Sequence, residues 1–268
     1  MSRLDKLCIN ENKYENKYEN KYENIDLYKI QSCIKIQSWV RGVMYRKKSL
    51  PLVLYVIQNY MLNQISFQCS NQVADGRINS CIDEKQIIEL LIKEFNKNTI
   101  RIKISKDRMW YDLLIYDYLY RWIPVNIKTT TTMSKDNIGN LSLCVYAYTN
   151  EKLDLYKKQD NGKMANILIN KLKNKEYNNI DKKDYYFLIF NKNKDKDKDK
   201  DIIINSLKGL EILTPNNNNL PFQVCWNKNR YFIYKPIKEC IKLFINCQKI
   251  PKEIWKEKYL RDIRQLTL

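Results

Sequence analysis

Apolar residues recur along the chain at two spacings, which predict helices in some segments and strands in others. In Glu84–Asn96 they lie three and four positions apart, as on one face of an amphipathic helix. Further helices are predicted over Ile30–Lys48, Leu50–Tyr60, Lys163–Leu172, Ile237–Asn246 and Ile254–Leu266. Strands are predicted over Ile100–Ile104, Trp110–Tyr116, Trp122–Thr130, Tyr185–Asn191 and, around a turn at Gly209, Ile202–Leu213. The apolar segment Leu141–Tyr148 is compatible with a helix or a strand.

The order of these segments predicts a mixed α/β (α+β) fold in which helices flank one sheet. The stretch Asp117–Arg121 separates two predicted strands and would form the turn of a hairpin. We therefore expect residues 50–268 to form one domain. Residues 29–49 would add an N-terminal helical extension, and residues 1–28 would form a separate low-complexity segment.

Two low-complexity runs interrupt the apolar pattern. Asn12–Asn24 repeats the four-residue unit NKYE three times. Asn191–Asp201 alternates Lys with Asn or Asp and holds no apolar residue, which predicts a solvated, charged loop over residues 191–201. The chain is rich in Lys, Asn, Ile and Tyr throughout, as the product of an AT-rich gene would be. Part of its net charge of +18 therefore reflects composition rather than a DNA-binding surface.

The residue counts exclude several classes of enzyme. The chain has no histidine, which excludes Ser-His-Asp and Cys-His hydrolases and zinc enzymes with HExxH or His/Cys/Cys ligands. None of its 8 cysteines forms a CxxC pair, and no glycine-rich phosphate-binding motif occurs. We find no signal peptide and no apolar stretch of membrane-spanning length. The sequence therefore predicts an intracellular protein of a reducing compartment, with buried thiols, not secreted and not bound to a membrane.

The polar residues that carry most information are Asp112, Asn126 and Lys128. Asp112 lies in one strand of the predicted hairpin, and Asn126 and Lys128 lie two positions apart in the other, so their side chains share a face. Carboxylate oxygens hold a hard divalent cation, which lowers the pKa of bound water, and a lysine stabilises developing charge. This group favours phosphodiester hydrolysis. The alternative is a structural ion pair between Asp112 and Lys128.

At these residues the chain resembles the PD-(D/E)xK nuclease superfamily, in particular type II restriction endonucleases. The order of an IQ-like helix, the segment KKSLPLVLY and then this nuclease core also resembles open reading frames of giant DNA viruses. In the nuclease family an acid on one strand precedes an acid-x-Lys on the next strand, and an acid from the preceding helix often assists. Asp112 matches the first acid and Lys128 matches the lysine. Glu84 stands where the helix acid belongs, with Glu89 and Glu94 as alternates.

Asn126 departs from this family pattern, because the family usually has Asp or Glu at that position. An amide can still offer an oxygen ligand, but it lacks the charge of a carboxylate. The resemblance implies a restriction-endonuclease-like fold and a Mg²⁺ ion held by Asp112, Glu84 and Asn126. It also implies that Lys128 promotes attack on the scissile phosphate.

Two later segments extend the resemblance, namely DNIGN at Asp136–Asn140 and LPFQVCWNKNR at Leu220–Arg230. The family relation implies double-stranded DNA as the partner. Candidates for contacts with DNA are Thr129, Thr130, Lys135, Asn137, Gln223, Asn227, Lys228 and Arg230. Trp226 and Tyr231 could stack on bases, although Trp226 fits a core position as well. The threonine run Thr129–Thr132 could instead simply extend a strand.

A second motif lies near the start of the chain. The segment IQSWVRGVMYR matches the pattern IQxxxRGxxxR through Ile36, Gln37, Arg41, Gly42 and Arg46. This resembles the IQ motif that binds calmodulin-like proteins, in which a basic amphipathic helix enters a hydrophobic groove. The alternative is a basic helix that packs on the domain or contacts DNA phosphates.

These observations predict a Mg²⁺-dependent DNA endonuclease, sequence-specific and restriction-like, which could act as a homodimer. Two alternatives come from other classes of protein. One is an inactive nuclease fold that only binds DNA, in which Asn126 marks the loss of catalysis. The other is an interaction protein that acts through its IQ helix.

Overall fold

The structure is a computed structural model that describes residues 49–63, 76–95, 100–106, 109–130, 133, 135–192, 201–216, 220–248 and 254–266. All of these residues belong to one compact unit, Ser49–Leu268. The low-complexity segment and, apart from Ser49, the IQ helix with all five of its motif residues lie outside the described residues. None of the helices in the described ranges is both long and apolar enough to cross a membrane.

Helices and strands alternate along this unit. The helices are α1 (Leu52–Asn63), α2 (Gly76–Phe95), α3 (Ser142–Tyr148), α4 (Asn161–Lys173), α5 (Ile237–Asn246) and α6 (Ile254–Arg264). The strands are β1 (Ile102–Ile104), β2 (Leu113–Asp117), β3 (Arg121–Thr130), β4 (Asp136–Ile138), β5 (Tyr186–Asn191), β6 (Asp201–Ser206) and β7 (Phe222–Val224). A single 3₁₀ turn at Trp226–Lys228 follows β7.

Five of the strands form one mixed sheet in the order β1-β2-β3-β5-β6. The pairs β1–β2, β2–β3 and β5–β6 are antiparallel, whereas β3 and β5 are parallel. A parallel neighbour requires a crossover connection, and α3 and α4 lie in that connection. In this register Asn126 of β3 lies beside Phe187 of β5, and Lys128 lies beside Ile189.

Alternating side chains of β3 face two different layers. Ile123, Val125 and Ile127 are fully buried in the layer that also contains α1 and α2. Asn126 and Lys128 face the opposite layer, which contains α3, α4, α5 and α6. The sheet is therefore sandwiched between helices on both faces, and the polar residues of β3 open into one of the two layers.

A two-stranded ribbon covers part of this second layer. Strand β4 pairs antiparallel with β7, so that Asp136 lies beside Val224 and Ile138 beside Phe222. Trp226, one turn beyond β7, is wholly buried, with its ring centre 5.2 Å from that of Phe187. Burial of this large side chain fixes the ribbon against the main sheet.

The structure confirms the mixed sheet flanked by helices and the β2–β3 hairpin that the sequence predicts. Helix α2 begins at Gly76 rather than at Glu84, and Leu141–Tyr148 is helical apart from its first residue. The strand predicted over Ile202–Leu213 ends at Ser206, because the chain turns at Leu207–Gly209. A side chain at Gly209 would collide with the Phe232 ring, which explains why this turn carries glycine.

The charged run predicted as a loop over residues 191–201 begins and ends in strands. Asn191 is the last residue of β5 and Asp201 is the first of β6, and the two are paired. Asn191 also donates a hydrogen bond from Nδ2 to Oδ2 of Asp201 at 3.1 Å. The prediction was therefore wrong at both ends, because strand pairing incorporates these polar residues. Residues 193–200 between them lie outside the described residues.

Candidate active site

Asp112 is held at the entrance to the hairpin by hydrogen bonds to β3. Its backbone N–H donates to the carbonyl of Val125 at 3.0 Å, which places it directly before β2. Its Oδ2 accepts hydrogen bonds from Nδ2 of Asn126 and from the backbone N–H of Ile127, both at 2.7 Å. Burial raises the pKa of Asp112 to about 6, although the Ile127 hydrogen bond and the charge of Lys128 act in the opposite direction.

The predicted partnership of Asp112 with Asn126 and Lys128 is present, but Asn126 has a role that differs from the predicted one. Its amide nitrogen donates to Asp112, so Asn126 positions the acid and offsets part of its charge. A carboxylate at this position would instead repel Asp112 unless a cation lay between them. The asparagine is therefore compatible with a site that holds fewer negative charges than the family pattern implies.

Lys128 forms an ion pair with an acid that the sequence analysis did not select. Its Nζ lies 3.4 Å from Oδ1 of Asp136, and both side chains are about four-fifths buried. The other oxygen of Asp136 accepts a hydrogen bond from Nε1 of the buried Trp226 at 2.8 Å. Asp136 is thus fixed by the core and in turn fixes Lys128. The segment DNIGN places this acid shortly after the lysine strand, but only the pairing of β4 with β7 brings it to Lys128.

Glu84 reaches the same site from α2. The hydroxyl of Ser80 donates to the carbonyl of Thr129 at 3.3 Å, and the backbone of Thr129 hydrogen-bonds Glu84, so this part of α2 lies against the end of β3. Burial raises the pKa of Glu84 to about 7, and the charges of Asp112 and Asp136 add to this rise. Lys128 lowers the pKa of Glu84. Glu84 is therefore electrostatically part of the site.

The alternates Glu89 and Glu94 do not take part in this group. Both side chains are exposed, and Glu94 hydrogen-bonds Tyr60, whose pKa it raises, near the C-terminal end of α2. Their spacing from Glu84 turns them away from β3, because five and ten helical residues correspond to different faces. Glu84 is thus the acid of α2 that the structure brings to Lys128.

A cavity of about 150 Å³ opens beside these residues. Its polar wall is formed by Asp112, Asn126 and Lys128, and the opposite wall runs along Asn137–Asn140. The aromatic rings of Trp110, Tyr185 and Phe187 also line it, with Met109 and Leu143. Pockets for organic ligands usually measure roughly 300–1,000 Å³, so this cavity suits an ion or a single phosphate group better than a cofactor.

The charges at this site favour a divalent cation. Asp112, Glu84 and Asp136 are three acids that interact with one cation, Lys128, so two negative charges are in excess when all four groups are ionised. In the described ranges no group of three or more His, Cys, Asp or Glu side chains has the arrangement of a metal site. Mg²⁺ needs no such cage, because it commonly binds one or two carboxylates and takes its remaining ligands from water and substrate phosphates. Asp112 and Glu84 fit this requirement.

The eight residues predicted to contact DNA fall into different environments. Lys135, Asn137, Asn227 and Lys228 are exposed, and Thr130 and Gln223 are half-buried. The side chain of Asn137 is fixed by two hydrogen bonds, which its Oδ1 accepts from Nε2 of Gln223 at 2.8 Å and from Nδ2 of Asn216 at 2.9 Å. These exposed residues lie on the ribbon or on the turns beside it, next to the cavity.

Three of the predicted DNA contacts are contradicted by burial or pairing. Thr129 is 6% exposed, because it faces the opposite layer from Lys128 as strand alternation requires. Arg230 is bound through both of its terminal nitrogens to the buried carboxylate of Asp201, which raises the pKa of the arginine. Trp226 is a core residue and cannot stack on a base, whereas Tyr231 is 78% exposed.

The chain was also compared with known proteins. No family model matches it, and no curated protein matches it significantly. Its function is therefore inferred from the site formed by Glu84, Asp112, Lys128 and Asp136.

Proposed function

We propose that this protein is a Mg²⁺-dependent DNA endonuclease of the type II restriction-like class. The observation that carries the proposal is the interaction of one lysine with two acids from segments separated in sequence. Asp112 of the hairpin and Lys128 of β3 line the cavity, and Lys128 lowers the pKa both of Asp112 and of the helix acid Glu84. This is the arrangement that the resemblance to PD-(D/E)xK nucleases implies.

The raised pKa values support the binding of a cation at Asp112 and Glu84. The two carboxylates are half-buried, with pKa values of about 6 and about 7, and the positive charge of Lys128 only partly compensates them. When bound there, Mg²⁺ would supply the acidity that turns a coordinated water into a nucleophile, and it would neutralise the charge of the phosphate. Ionising these two acids without a cation costs free energy. A bound metal ion would remove that cost, and this would contribute to its affinity.

Lys128 is suited to act on the phosphate itself. Its ammonium group is paired with Asp136, which is itself held by Trp226, so its position is fixed before the substrate binds. A fixed cation stabilises charge that develops in the transition state without further reorganisation. Glu84 interacts with the same lysine and, together with Asp112, would hold the ion.

The surroundings of the cavity support a nucleic-acid substrate. Lys135, Asn227 and Lys228 are exposed on and beside the ribbon whose residue Asp136 holds Lys128. Lysines and amides of this kind position a phosphate backbone. The proposal includes double-stranded DNA as substrate and a homodimer as the species that cleaves both strands.

One observation favours an alternative, an inactive nuclease fold that binds DNA. Asn126 stands at the position of the second family acid, and its amide nitrogen is bound to Asp112. If the site requires two strand carboxylates, Asp112 alone would not support cleavage. In that case Asn126→Asp would restore activity, because it supplies the missing acid.

The test is incubation of the purified full chain with a panel of plasmid and genomic DNA in the presence of Mg²⁺, Mn²⁺ or EDTA. We expect discrete, metal-dependent fragments with the native protein and none with Lys128→Met. Lys171→Met is the matched control, because Lys171 is also an ion-paired lysine and its side chain is 25% exposed, against 24% for Lys128. Cleavage that persists in Lys128→Met would contradict the mechanism.

A second outcome separates the two candidate functions. If the native protein binds DNA but does not cleave it with either metal, and Asn126→Asp then cleaves it, the inactive-fold alternative holds. If neither protein cleaves nor binds DNA in a salt-sensitive manner, both proposals fail.

A further inference from the structure

A group of cations and aromatic rings covers the sheet face that also carries Asp112, at the other end of the hairpin. We call it the cation–aromatic platform. It consists of Arg101, Lys103, Tyr116, Arg121, Trp122 and Tyr156. The strand register places Tyr116 directly opposite Trp122, and it places Lys103 on the neighbouring strand beside Leu114.

Lys103 connects two of the rings. Its Nζ lies 4.3 Å from the centre of the Trp122 ring and 5.3 Å from that of Tyr156. The same nitrogen donates a hydrogen bond to the Tyr156 hydroxyl at 3.3 Å. The loop that carries Tyr156 is itself anchored, because the buried Tyr111 donates a hydrogen bond from its hydroxyl to the carbonyl of Leu155.

The rest of the platform continues from Trp122. The rings of Tyr116 and Trp122 meet edge to face, with centres 5.4 Å apart. Arg101 lies above Tyr116, with its Cζ 4.1 Å from the ring centre, and Nη1 of Arg121 donates to the Tyr116 hydroxyl at 2.7 Å. A continuous path of contacts therefore runs from Arg121 to Tyr156.

The charges of the platform are not balanced within the part of the chain that the structure describes. Arg101, Lys103 and Arg121 are exposed, and none of them forms a salt bridge there. The acid next to Tyr156 in sequence, Asp154, is paired with a lysine instead. Cation–π contacts at exposed sites contribute only about 0.5–1 kcal/mol each, and like charges held close together repel. A ligand with several negative charges would relieve this repulsion and would therefore bind such a surface favourably.

We propose that the cation–aromatic platform binds single-stranded nucleic acid. Phosphates would lie against Arg101, Lys103 and Arg121, and a base would stack on the exposed ring of Tyr156, beside the partly buried Trp122. Surfaces that bind single strands combine these two features, a positive track for the backbone and aromatic rings for the bases. A duplex fits less well, because its bases are stacked on one another and offer no free ring face.

The platform also has a defined relation to the candidate active site. Trp122 and Asn126 lie on the same face of β3, four residues apart, which corresponds to about 13 Å. A strand of about four stacked nucleotides covers that distance. Given the nuclease function proposed above, the platform would hold an unpaired strand that leads to the cavity. Binding by the platform itself does not depend on that function.

The test is fluorescence anisotropy with labelled oligonucleotides of about 20 nucleotides, in EDTA so that no cleavage interferes. Oligo-dT, oligo-rU and a duplex of the same length are titrated over a range of salt concentrations. We expect the single strands to bind more tightly than the duplex. The order of the dT and rU affinities then identifies DNA or RNA as the preferred ligand.

Two pairs of matched variants locate the binding surface. Arg101→Ala with Lys103→Ala should lower the slope of log K against log salt by about 1.4, which is about 0.7 for each lost phosphate contact. Lys238→Ala with Lys242→Ala removes the same charge from exposed positions of α5 and should leave the slope unchanged. Tyr156→Leu should weaken binding about fivefold or more, whereas Tyr55→Leu, at an exposed tyrosine of α1, which packs on the other face of the sheet, should not.

The proposal is overturned if the duplex binds as tightly as the single strands, if both double variants reduce binding equally, or if no salt-sensitive binding occurs. Lys103 of β1, with Arg101 directly before it, would then serve only to prevent another chain from pairing with this edge strand. All variants alter exposed side chains, so each is expected to retain the native melting temperature. Cleavage of the DNA panel is scored separately, so failure here does not decide the nuclease proposal.

Discussion

Lys128 Nζ lies 3.4 Å from Oδ1 of Asp136, and the other oxygen of that carboxylate accepts a hydrogen bond from the buried Trp226. The lysine that would act on the phosphate is therefore fixed by a residue of the ribbon and not of the main sheet. The same acid raises the pKa of Glu84, so it affects both the lysine and the carboxylate that faces it. Asp136 thereby couples the ribbon to the charge balance of the site.

This coupling predicts the effect of Asp136→Asn on metal binding. Loss of the negative charge removes a repulsion from Glu84 and leaves Lys128 free to approach the remaining acids, and both changes lower the pKa of Glu84. The pH at which Mg²⁺ binding is half-maximal should fall by about half a unit. Isothermal titration with Mg²⁺ between about pH 5 and pH 8 measures this shift without any activity assay.

The control for this measurement is Glu239→Gln, which removes one negative charge from an exposed position of α5. It should leave the midpoint unchanged. A midpoint for Asp136→Asn that stays at the native value or moves to higher pH would show that Asp136 does not act on Glu84.

The raised pKa values of Asp112 and Glu84 predict how metal-free stability depends on pH. Both carboxyls have higher pKa values in the folded state, about 6 and about 7, than in an unfolded chain. The folded state therefore binds more protons in this window, and the contribution of the two acids to stability falls as pH rises from about 4 to about 7. Mg²⁺ reverses this loss, because it binds the ionised form.

Thermal melting checks the sign of this linkage. The rise in melting temperature caused by saturating Mg²⁺ should be larger at pH 8 than at pH 5.5, where protons compete for the same oxygens. Ca²⁺ serves as a second hard cation that binds oxygen ligands. A rise that is equal at both values of pH would place the ion elsewhere.

Asp112→Asn should stabilise the metal-free protein while removing its response to Mg²⁺. An amide oxygen can still accept the hydrogen bonds from Asn126 and Ile127, and it carries no charge that must be buried. At pH 8 we expect a gain of roughly 1–2 kcal/mol, which is a few degrees in melting temperature. Lower stability of Asp112→Asn would mean that the charged hydrogen bonds outweigh the cost of burial.

The hairpin part of the site could be predicted from sequence, because period-two alternation fixes which side chains share a face. That rule put Asn126 and Lys128 on one side, and the structure agrees. The same rule, applied one residue further, would have shown that Thr129 faces the opposite layer. The wrong assignment of Thr129 to DNA contact was thus avoidable.

Asp136 could not be predicted as a partner of Lys128 by any local rule. Its position depends on the pairing of β4 with β7, two short segments far apart in the chain, and on the burial of Trp226 beyond β7. Three-residue strands have no clear periodicity, so long-range packing decides their place. Arg230 is a similar case, since its partner Asp201 lies at the end of a charged run that reads as a loop.

The pairing of Arg230 with Asp201 predicts a structural role for this arginine. Arg230→Ala leaves a carboxylate that is 8% exposed with the amide of Asn191 as a weaker partner, and we expect a loss of roughly 1–3 kcal/mol in the free energy of unfolding. The salt dependence of DNA binding should stay unchanged. Lys228→Ala, at an exposed neighbouring position, should lower the salt dependence of DNA binding and leave the free energy of unfolding unchanged. A reduced salt slope in Arg230→Ala at native stability would restore the arginine as a DNA contact.

Asn229 should be the most sensitive residue of the segment beyond β7. It is 1% exposed, and its Oδ1 accepts hydrogen bonds from the backbone N–H groups of Glu211 and Ile212 at 2.8 and 3.1 Å. Its Nδ2 donates to the carbonyls of Ile212 and Cys225 at 2.9 and 2.8 Å. Asn229→Ala would leave both N–H groups and the Ile212 carbonyl without this partner, whereas the Cys225 carbonyl keeps the N–H of Lys228, and we expect a loss of about 3–5 kcal/mol by urea denaturation.

Asn227→Ala is the matched control, because it removes the same amide from an exposed position two residues earlier. It should change stability by less than about 0.5 kcal/mol. If Asn229→Ala lowers the free energy of unfolding no more than Asn227→Ala does, water must replace the lost hydrogen bonds. The turn at Glu211–Ile212 would then be held by its apolar contacts instead. If the two differ as expected, the amide of Asn229 is what joins the segment after β7 to the turn after β6, and so keeps the ribbon and Asp136 in place beside Lys128.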